Sequence, residues 1–558
     1  MIKSPLIKKS LTTVSILLLS FTVESATYDL LEEQKTDQLL LPGTQSGSSF
    51  FDADLAQQQA ISDQKSDYLK TLELIKKQKL KEAENKIKTL LKNNPQEPEF
   101  YNLQGLLATT NKQPASAIKS HQKAINLDPK NLKAHLAIAK ISLDTDDRPQ
   151  AQKYANKALV INDSSTYAYF LLADIARTQN KLQEAESLLL TAKKKNLGNA
   201  KQEIATANNL GKLYIFQKQP QKILSLAEEI SNRYPDNSSA MVLLVNAQLI
   251  NNQKKQAEKT LRKLVALEKQ DIQSRFMLIG LLIEQPDKEK DTLKLLNEIS
   301  SIAPNNVQVL SQKAIYLTKL KHYPKARAVA NKVNKLAPQS GFTHLINGEI
   351  YLSEKKWDQA LVAFQKNYKI KPTNKVLSVM INIMAAKGKQ ADAINFLNKE
   401  LKKNDDNLDA HFILATLYHQ QNNLIGAEKH YKSILAVAPD NALVLNNLAW
   451  IYHQQNNPKA LELAQKAYKL APNSADIADT YGVILNKLGN SKQSIDILKK
   501  ASRLAPMAYD IQYHLANTYA ASGNQKQAID TLSHILKADN NFSEKKAAQD
   551  LLKKLSTN

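Results

Sequence analysis

A proline recurs at intervals close to 34 residues, or multiples of that spacing, along most of this 558-residue chain. Each of these prolines follows a stretch with apolar residues at helical spacing, and many are followed two positions later by Asn or Ser. Proline ends one helix, and the short polar side chain caps the next one. The prolines are Pro95, Pro129, Pro235, Pro304, Pro338, Pro372, Pro439, Pro472 and Pro506. The pattern predicts a row of helix pairs and excludes one long coiled coil, which the prolines would interrupt.

Small and large residues also recur at fixed places within each unit. Between residues 341 and 374, Gly348 and Ala360 are small, whereas Tyr351 and Phe364 are aromatic. Small residues let two helices approach closely, and aromatic rings fill the space beside them. This pattern resembles the tetratricopeptide repeat. The resemblance implies an all-α solenoid, a right-handed superhelix of about 14 antiparallel helix pairs.

The same register divides the chain into an array and a terminal helix. Units are predicted to begin near residues 64, 98, 132, 166, 204, 238, 273, 307, 341, 374, 408, 441, 475 and 509. Residues 64–542 are therefore predicted to form the repeat array. Residues 543–558 are predicted to form a capping helix and tail, because a terminal repeat must present a polar face to water.

The first 63 residues differ from the rest. Residues 1–25 resemble a secretory signal peptide, with Lys3, Lys8 and Lys9 before an apolar stretch and Ser25 at the predicted cleavage site. An uncleaved anchor is the alternative, although the apolar stretch is short for a membrane-spanning helix. Residues 26–63 are rich in turn-forming residues and are predicted to be a flexible linker. We therefore expect an exported protein, in the periplasm, that is not an integral membrane protein after cleavage.

The sequence offers little that points to catalysis. It has no cysteine, which excludes disulfides and thiol chemistry, and it lacks the P-loop, H-E-x-x-H and G-x-S-x-G motifs. We expect no cofactor and no metal site, with His121, His135, His344 and His411 in helix packing. The carboxylates show no evident inward-facing pair, so we do not expect an enzyme. Two carboxylates deep in the wall of a groove would favour an enzyme instead.

The net charge of +23 has two interpretations. The lysines can simply solvate the outer faces of the helices, which their scattered distribution favours. Alternatively, a basic surface binds anionic polysaccharide or lipid headgroups directly. Nucleic acid is not an expected partner.

In tetratricopeptide proteins the first helix of each pair lines a concave groove, and the resemblance implies that positions 2, 5, 9 and 12 of that helix contact ligands. Asparagine can offer a donor and an acceptor to a peptide backbone, and tryptophan offers a large flat contact. We therefore expect a scaffold that binds partner proteins or extended peptides in this groove. The groove residues predicted in this way are Asn208, Lys212, Asn446, Trp450, His453, Asp479, Asn486, Tyr513 and Asn517.

One segment suggests a narrower family. Residues 446–506 are similar to the C-terminal repeats of the tetratricopeptide protein of bacterial exosortase/PEP-CTERM systems, which is associated with exopolysaccharide production. The similar features are Leu448-Ala449-Trp450, the short turn at Asn457-Pro458, and Asp479-Thr480-Tyr481-Gly482. This resemblance implies a role in cell-envelope or exopolysaccharide assembly. Members of that family resemble lipoproteins, whereas this chain has no cysteine to carry a lipid.

Overall fold

The computed structural model describes residues 62–538 and 542–557. These residues form 29 α-helices and one short 3-10 helix, and no β-strand occurs among them. The predicted signal peptide and residues 26–61 of the predicted linker lie outside the described residues. No helix in the described part of the chain has both the length and the apolar composition needed to cross a membrane.

The described residues fall into two compact units, residues 62–304 and residues 305–557. The first unit contains seven helix hairpins, and the 3-10 helix Pro286–Lys288 precedes the last of its helices. These helices are α1 Ser62–Lys76, α2 Leu80–Asn93, α3 Pro98–Thr110, α4 Pro114–Leu127, α5 Leu132–Asp144, α6 Arg148–Ile161, α7 Thr166–Thr178, α8 Leu182–Lys195, α9 Ala200–Phe216, α10 Pro220–Arg233, α11 Ser238–Ile250, α12 Lys254–Leu267, α13 Ile272–Leu282 and α14 Glu289–Ile302.

The second unit contains seven further hairpins and one final helix. Its helices are α15 Val307–Lys319, α16 Tyr323–Leu336, α17 Phe342–Ser353, α18 Trp357–Ile370, α19 Asn374–Ala386, α20 Gln390–Leu401, α21 Leu408–Gln420, α22 Leu424–Val437, α23 Ala442–Gln454, α24 Lys459–Leu470, α25 Ala475–Lys487, α26 Ser491–Leu504, α27 Tyr509–Ala521, α28 Gln525–Lys537 and α29 Lys545–Ser556. The all-α array of about fourteen helix pairs is confirmed, and α29 follows the last pair as the capping helix.

Within each unit every helix packs against the next, and several first helices of hairpins also contact the first helix of the following hairpin. The residues after the prolines start these helices as the sequence predicts. The side-chain oxygen of Asn131 accepts from the backbone N–H of Ala134 at 3.0 Å, and Asn441 caps α23 through Val444 at 3.1 Å. Each such cap satisfies a backbone donor that has no partner inside its own helix.

Close packing of the two helices in each hairpin explains why small residues recur at fixed places in the repeats. A Cβ atom added to Gly348 would lie 2.7 Å from the ring of Phe364, and one added to Gly482 would lie 2.5 Å from Leu498. Phe364 and Leu498 are buried, so neither side chain can move into solvent. The glycines therefore set the distance between the two helices of a hairpin.

Although the sequence shows no evident inward-facing pair of carboxylates, Glu203, Asp479 and Asp510 are buried, the first two of them fully. Glu203 accepts hydrogen bonds from Arg233 at 2.9 Å, from the hydroxyl of Tyr234 at 2.7 Å and from the backbone N–H of Gly198 at 2.6 Å. These bonds hold the loop before α9 against the end of α10. They also explain why α9 begins at Ala200, ahead of the predicted start at residue 204.

The histidines assigned to packing lie in the hairpins. His121, His135 and His411 are buried, whereas His344 is half-buried. Burial lowers the pKa of His121 to about 4, and its Nδ1 atom lies 3.0 Å from the side-chain oxygen of Asn102. A buried neutral imidazole of this kind contributes a hydrogen bond between neighbouring helices.

Candidate partner-binding groove

All nine predicted groove residues lie on first helices of hairpins. They divide between the two units, and Asn208 and Lys212 lie on α9 in the first unit. The other seven lie on α23, α25 and α27, three consecutive first helices of the second unit, and these helices contact each other in sequence. Those seven residues are Asn446, Trp450, His453, Asp479, Asn486, Tyr513 and Asn517.

The predicted residues differ in how much a partner could reach them. Lys212 and Asn517 are exposed, and Trp450, His453, Asn486 and Tyr513 are half-buried. Asn208, Asn446 and Asp479 are buried. We use the name groove face for the reachable side chains of the second unit and the buried asparagine beside them. The groove face consists of Asn446, Trp450, His453, Asn486, Tyr513 and Asn517.

Trp450 and Asn446 form the centre of the groove face. They are one helical turn apart on α23, and the ring of His453 lies 5.2 Å from the ring of Trp450. The Nε1 atom of Trp450 and the Oδ1 atom of Asn446 are both buried without a hydrogen-bond partner among the described residues. A buried donor or acceptor left without a partner costs about 1–3 kcal/mol. Two such atoms, one turn apart, are therefore suited to a ligand that supplies both bonds.

His419 and Gln454 extend this surface to the preceding hairpin, and the prediction missed them. His419 lies on α21 and is buried, which lowers its pKa, while the side chain of Gln454 at the end of α23 acts in the opposite direction. The register could have found His419, because it follows the small residue Ala415 by the same four positions that separate Ala449 and His453.

Asp479 has a structural partner. Its carboxylate accepts from the Nδ1 atom of His514 on α27 at 2.8 and 3.0 Å, and both side chains are buried. Burial alone would lower the pKa of His514, but the Asp479 carboxylate raises it above the usual value. This ion pair connects α25 to α27, so Asp479 is occupied between hairpins and is not exposed to a ligand.

Further carboxylates lie near this pair. The side chain of Asp510, also on α27, accepts from the backbone N–H of Glu544 at 3.1 Å. Burial raises the pKa of Glu544 to about 7, while the charge of His514 opposes this effect and the neighbouring Asp510 adds to it. Burial and the charge of Asp479 also raise the pKa of Asp476. The groove face therefore ends in an acidic region at α27 and the turn before α29.

Family models place this architecture among known proteins. One model described as tetratricopeptide repeat matches residues 68–131, 136–199 and 421–475, and a second with the same description matches residues 489–557. These parts of the chain are tetratricopeptide repeats. A model described as ChAPs, the Chs5p-Arf1p-binding proteins, matches residues 236–367 of this repeat protein.

Individual relatives are more distant. The human protein O-mannosyl-transferase TMTC3 is 28% identical over 268 residues, which cover 46% of this repeat protein and 28% of that relative. The chain thus spans little more than a quarter of the relative's length. Among solved structures, the crystal structure of the APC/C hetero-tetramer Cut9–Hcn1 matches 84% of this chain and 98% of its own, at 18% identity and a TM-score of 0.35. The structure of Naa15/Naa10 bound to HypK-THB matches 96% of each chain, at 14% identity and a TM-score of 0.37.

The buried carboxylates of the acidic region are relevant to whether this protein is an enzyme. Asp479 and Asp510 are two buried carboxylates near the groove face of this repeat protein, but each binds a group of another helix or turn. That arrangement favours a role in packing over catalysis. Within the described residues, no group of three or more His, Asp or Glu side chains is placed to hold a metal ion.

Proposed function

We propose that the second unit binds an extended peptide segment of a partner protein on the groove face. The observation that carries this proposal is the pair of unsatisfied, buried polar atoms on Asn446 and Trp450, beside a half-buried tryptophan ring. Tryptophan is among the residues that most often dominate the binding energy of interfaces. The match to a family described as Chs5p-Arf1p-binding proteins supports a protein as the partner, because its description names proteins as ligands.

The spacing of the two residues along α23 suits a peptide backbone. Residues one turn apart on a helix are separated by about 6 Å along its axis. An extended chain repeats its backbone groups on one side every second residue, at about 6.6–6.8 Å. In the proposed complex the two side chains turn towards the peptide, so that a backbone N–H donates to Asn446 and a nearby backbone carbonyl accepts from Trp450. Side chains of the peptide would then contact the rings of Trp450 and His453.

Replacement of Trp450 tests the proposal. We expect Trp450→Ala to weaken binding at least tenfold while the protein stays folded, because the ring and one donor are lost. Ile425→Ala is the matched control, since Ile425 is a large apolar residue on α22 that is 80% exposed and lies outside the groove face. Proteins captured from the native envelope by the wild-type chain would be identified by mass spectrometry, and their affinities for the purified variants measured. Equal affinity of the wild type and folded Trp450→Ala would rule out this site.

We also propose that the protein is exported and functions in the cell envelope. The signal-like residues 1–25 support export to the periplasm, and the resemblance of residues 446–506 to the exosortase-system protein supports a role in cell-envelope or exopolysaccharide assembly. Mass spectrometry of the mature chain distinguishes the alternatives, because cleavage after Ser25 leaves Ala26 as the first residue. An intact N-terminus in the membrane fraction would instead identify an uncleaved anchor. No cofactor and no enzymatic activity form part of this proposal.

Direct binding of an anionic ligand is a second candidate, and the charge distribution favours one place for it. Residues 305–404 contain 18 Lys or Arg and five Asp or Glu, whereas residues 405–557 contain 16 and 14. Burial and the nearby Lys332 and Lys325 lower the pKa of Lys313, which indicates crowded positive charge between α15 and α16. This surface is complementary to acidic polysaccharide or anionic lipid headgroups.

The second candidate has its own variant and its own salt dependence. We expect the double variant Lys325→Glu, Lys332→Glu to lose binding to an acidic polysaccharide such as alginate, or to vesicles of anionic lipid. Salt should weaken such binding strongly, whereas binding through Trp450 should be less sensitive. Binding that is the same for wild type and double variant at low salt would contradict a basic binding surface here.

A further inference from the structure

The C-terminal end of the second unit gathers titratable side chains from three elements. We call them the terminal cluster: Asp479 on α25, Asp510 and His514 on α27, and Glu544 in the turn before α29. Asp479, Asp510 and His514 are buried, and Glu544 is half-buried. Such groups are uncommon inside a protein unless they are paired, because removing their charges from water is costly.

The bonds of the terminal cluster connect the last hairpin and α29 to the hairpin before them. His514 donates to the Asp479 carboxylate at 2.8 Å, which joins α27 to α25. Asp510 accepts from the backbone N–H of Glu544 at 3.1 Å, which joins the start of the final turn to α27. The ring of Phe542 lies 5.9 Å from that of Tyr509, so the same place also carries apolar contact.

We propose that the terminal cluster is a proton-dependent latch, which holds the last hairpin and α29 in place at mildly acidic pH and loosens them as the pH rises. The inference concerns the stability of this end of the chain and does not depend on the proposed partner.

The balance of charge in the cluster gives the latch its direction. Three carboxylates lie near one imidazole, and a protonated His514 is the cation paired with Asp479. When His514 loses its proton, Asp479 is left buried without a cation. When Glu544 ionises as well, its carboxylate lies close to Asp510, and like charges in a poorly solvated place repel each other. Both events oppose the packing of α27 and α29.

The surrounding elements also carry charged and titratable groups, among them Lys545 and Lys546 at the start of α29. Helix α25 also contributes Asp476, and α23 contributes His453, whose own pKa is lowered by burial, by Lys487 and by the charge of His514. On α26, Lys499 lies over the ring of Tyr519, 5.8 Å from its centre. Among the other titratable groups of these elements, Tyr513 on α27 is near Asp550 of α29, and His534 of α28 is exposed.

The pKa shifts of His514 and Glu544 change the stability of this end of the chain in the same direction. His514 has a raised pKa in the folded chain, so its stabilising effect is complete below its ordinary value of 6.5 and is lost as the pH rises through the folded value. The pKa of Glu544 is raised from 4.5 to about 7, so the folded chain keeps a proton that the unfolded chain releases, and stability falls between those two values. Both groups therefore weaken this end as the pH increases.

Native-state hydrogen exchange of the full chain at pH 6.0, 7.0 and 8.5 tests the latch. Protection factors, which correct for the intrinsic pH dependence of exchange, would be compared between α27–α29 and α11–α12, whose sequences contain no histidine. We expect protection of α27–α29 to fall about three- to tenfold per pH unit between pH 6 and 7, since one linked proton changes an equilibrium by at most tenfold per unit. Unchanged protection relative to α11–α12 across this range would overturn the proposal.

Two variants and a matched control separate titration from packing. His514→Asn keeps a side-chain donor for Asp479 but cannot titrate, so we expect lower protection at pH 6 and a flatter pH profile. His534→Asn removes the exposed histidine of the adjacent helix and should leave the wild-type profile. If His514→Asn does not fold at this end, Glu544→Gln decides the question, because it should preserve protection at pH 8.5. A Glu544→Gln profile identical to the wild type, or a His534→Asn profile as flat as that of His514→Asn, would contradict the latch.

Discussion

The contact between Gly348 and Phe364 allows a quantitative test of the repeat packing. Gly348 lies on α17 and Phe364 on α18, and a methyl group at residue 348 would lie 2.7–2.9 Å from three carbons of the ring. Carbon atoms in favourable contact are separated by about 3.5–4.0 Å. The Phe364 ring must therefore move by about 1 Å in Gly348→Ala, and it is 1% exposed.

Two effects of Gly348→Ala oppose each other. Overpacking a filled core costs about 1–3 kcal/mol. Alanine is a better helix former than glycine by about 1 kcal/mol. We expect the clash to dominate, because Phe364 belongs to an apolar cluster with Val376 and Leu377 that leaves no open direction. The net loss should be about 1–2 kcal/mol in the stability of this hairpin.

Native-state hydrogen exchange measures this loss locally. A loss of about 1–2 kcal/mol should speed exchange of the α17 and α18 amides by roughly five- to thirtyfold. Gly280→Ala is the matched control, since Gly280 is also helical but a Cβ atom added to it would have no neighbouring atom within 4 Å. Exchange in this control should be unchanged or slower, because alanine favours the helix.

A double variant identifies the cause. If the clash is responsible, Gly348→Ala combined with Phe364→Leu should lose less stability than the sum of the two single changes, because leucine leaves room for the methyl group. Additive losses would show that the ring contact is not the cause. Exchange in Gly348→Ala that is no faster than in the wild type would refute the packing argument itself.

Three further changes test separate contacts. Asn441→Ala removes the cap on Val444, and we expect faster exchange of the first amides of α23, with a loss of about 1 kcal/mol. Arg233→Ala leaves the buried Glu203 without its cation, and we expect a loss of about 2–3 kcal/mol in the first unit, measured by urea unfolding. Burial lowers the pKa of His430 to about 4, so its contribution should be lost as the pH falls from 6.5 towards 4, by up to about 3 kcal/mol, which exchange of the α22 amides would report.

The sequence was sufficient for the fold because the features that determine it are local. A proline such as Pro439 ends one helix, Asn441 starts the next two residues later, and neither depends on distant parts of the chain. The pairing of Gly348 with Phe364 also lies within one repeat. The predicted start of a repeat was wrong where a non-local contact intervened. Glu203 binds Arg233 and Tyr234, and α9 begins earlier than predicted at this place.

The groove residues were harder to predict because their contacts also reach beyond a single repeat. Position in the repeat places Asn446 and Asp479 at equivalent sites on α23 and α25, and both are buried. Their partners differ, because His514 in the following repeat, 35 residues away, binds the Asp479 carboxylate, whereas the Oδ1 atom of Asn446 has no partner among the described residues. Periodicity describes each repeat alone, so it cannot tell which polar positions are paired across repeats.

Pairing across helices also gives different parts of the second unit opposite responses to pH. The Nδ1 atom of His430 lies 2.8 Å from that of His411, and both side chains are buried. Burial and the neighbouring His411 lower the pKa of His430, so acid weakens the hairpin of α21 and α22. His514 faces carboxylates instead, so a proton strengthens the contact and base weakens the end of the chain. The part of the second unit that loosens should therefore change with pH: α21–α22 as the pH falls from 6.5 towards 4, and α27–α29 as the pH rises above 6.5. The same residue type produces both effects, because the partner atom decides whether the charged or the neutral imidazole fits the folded chain.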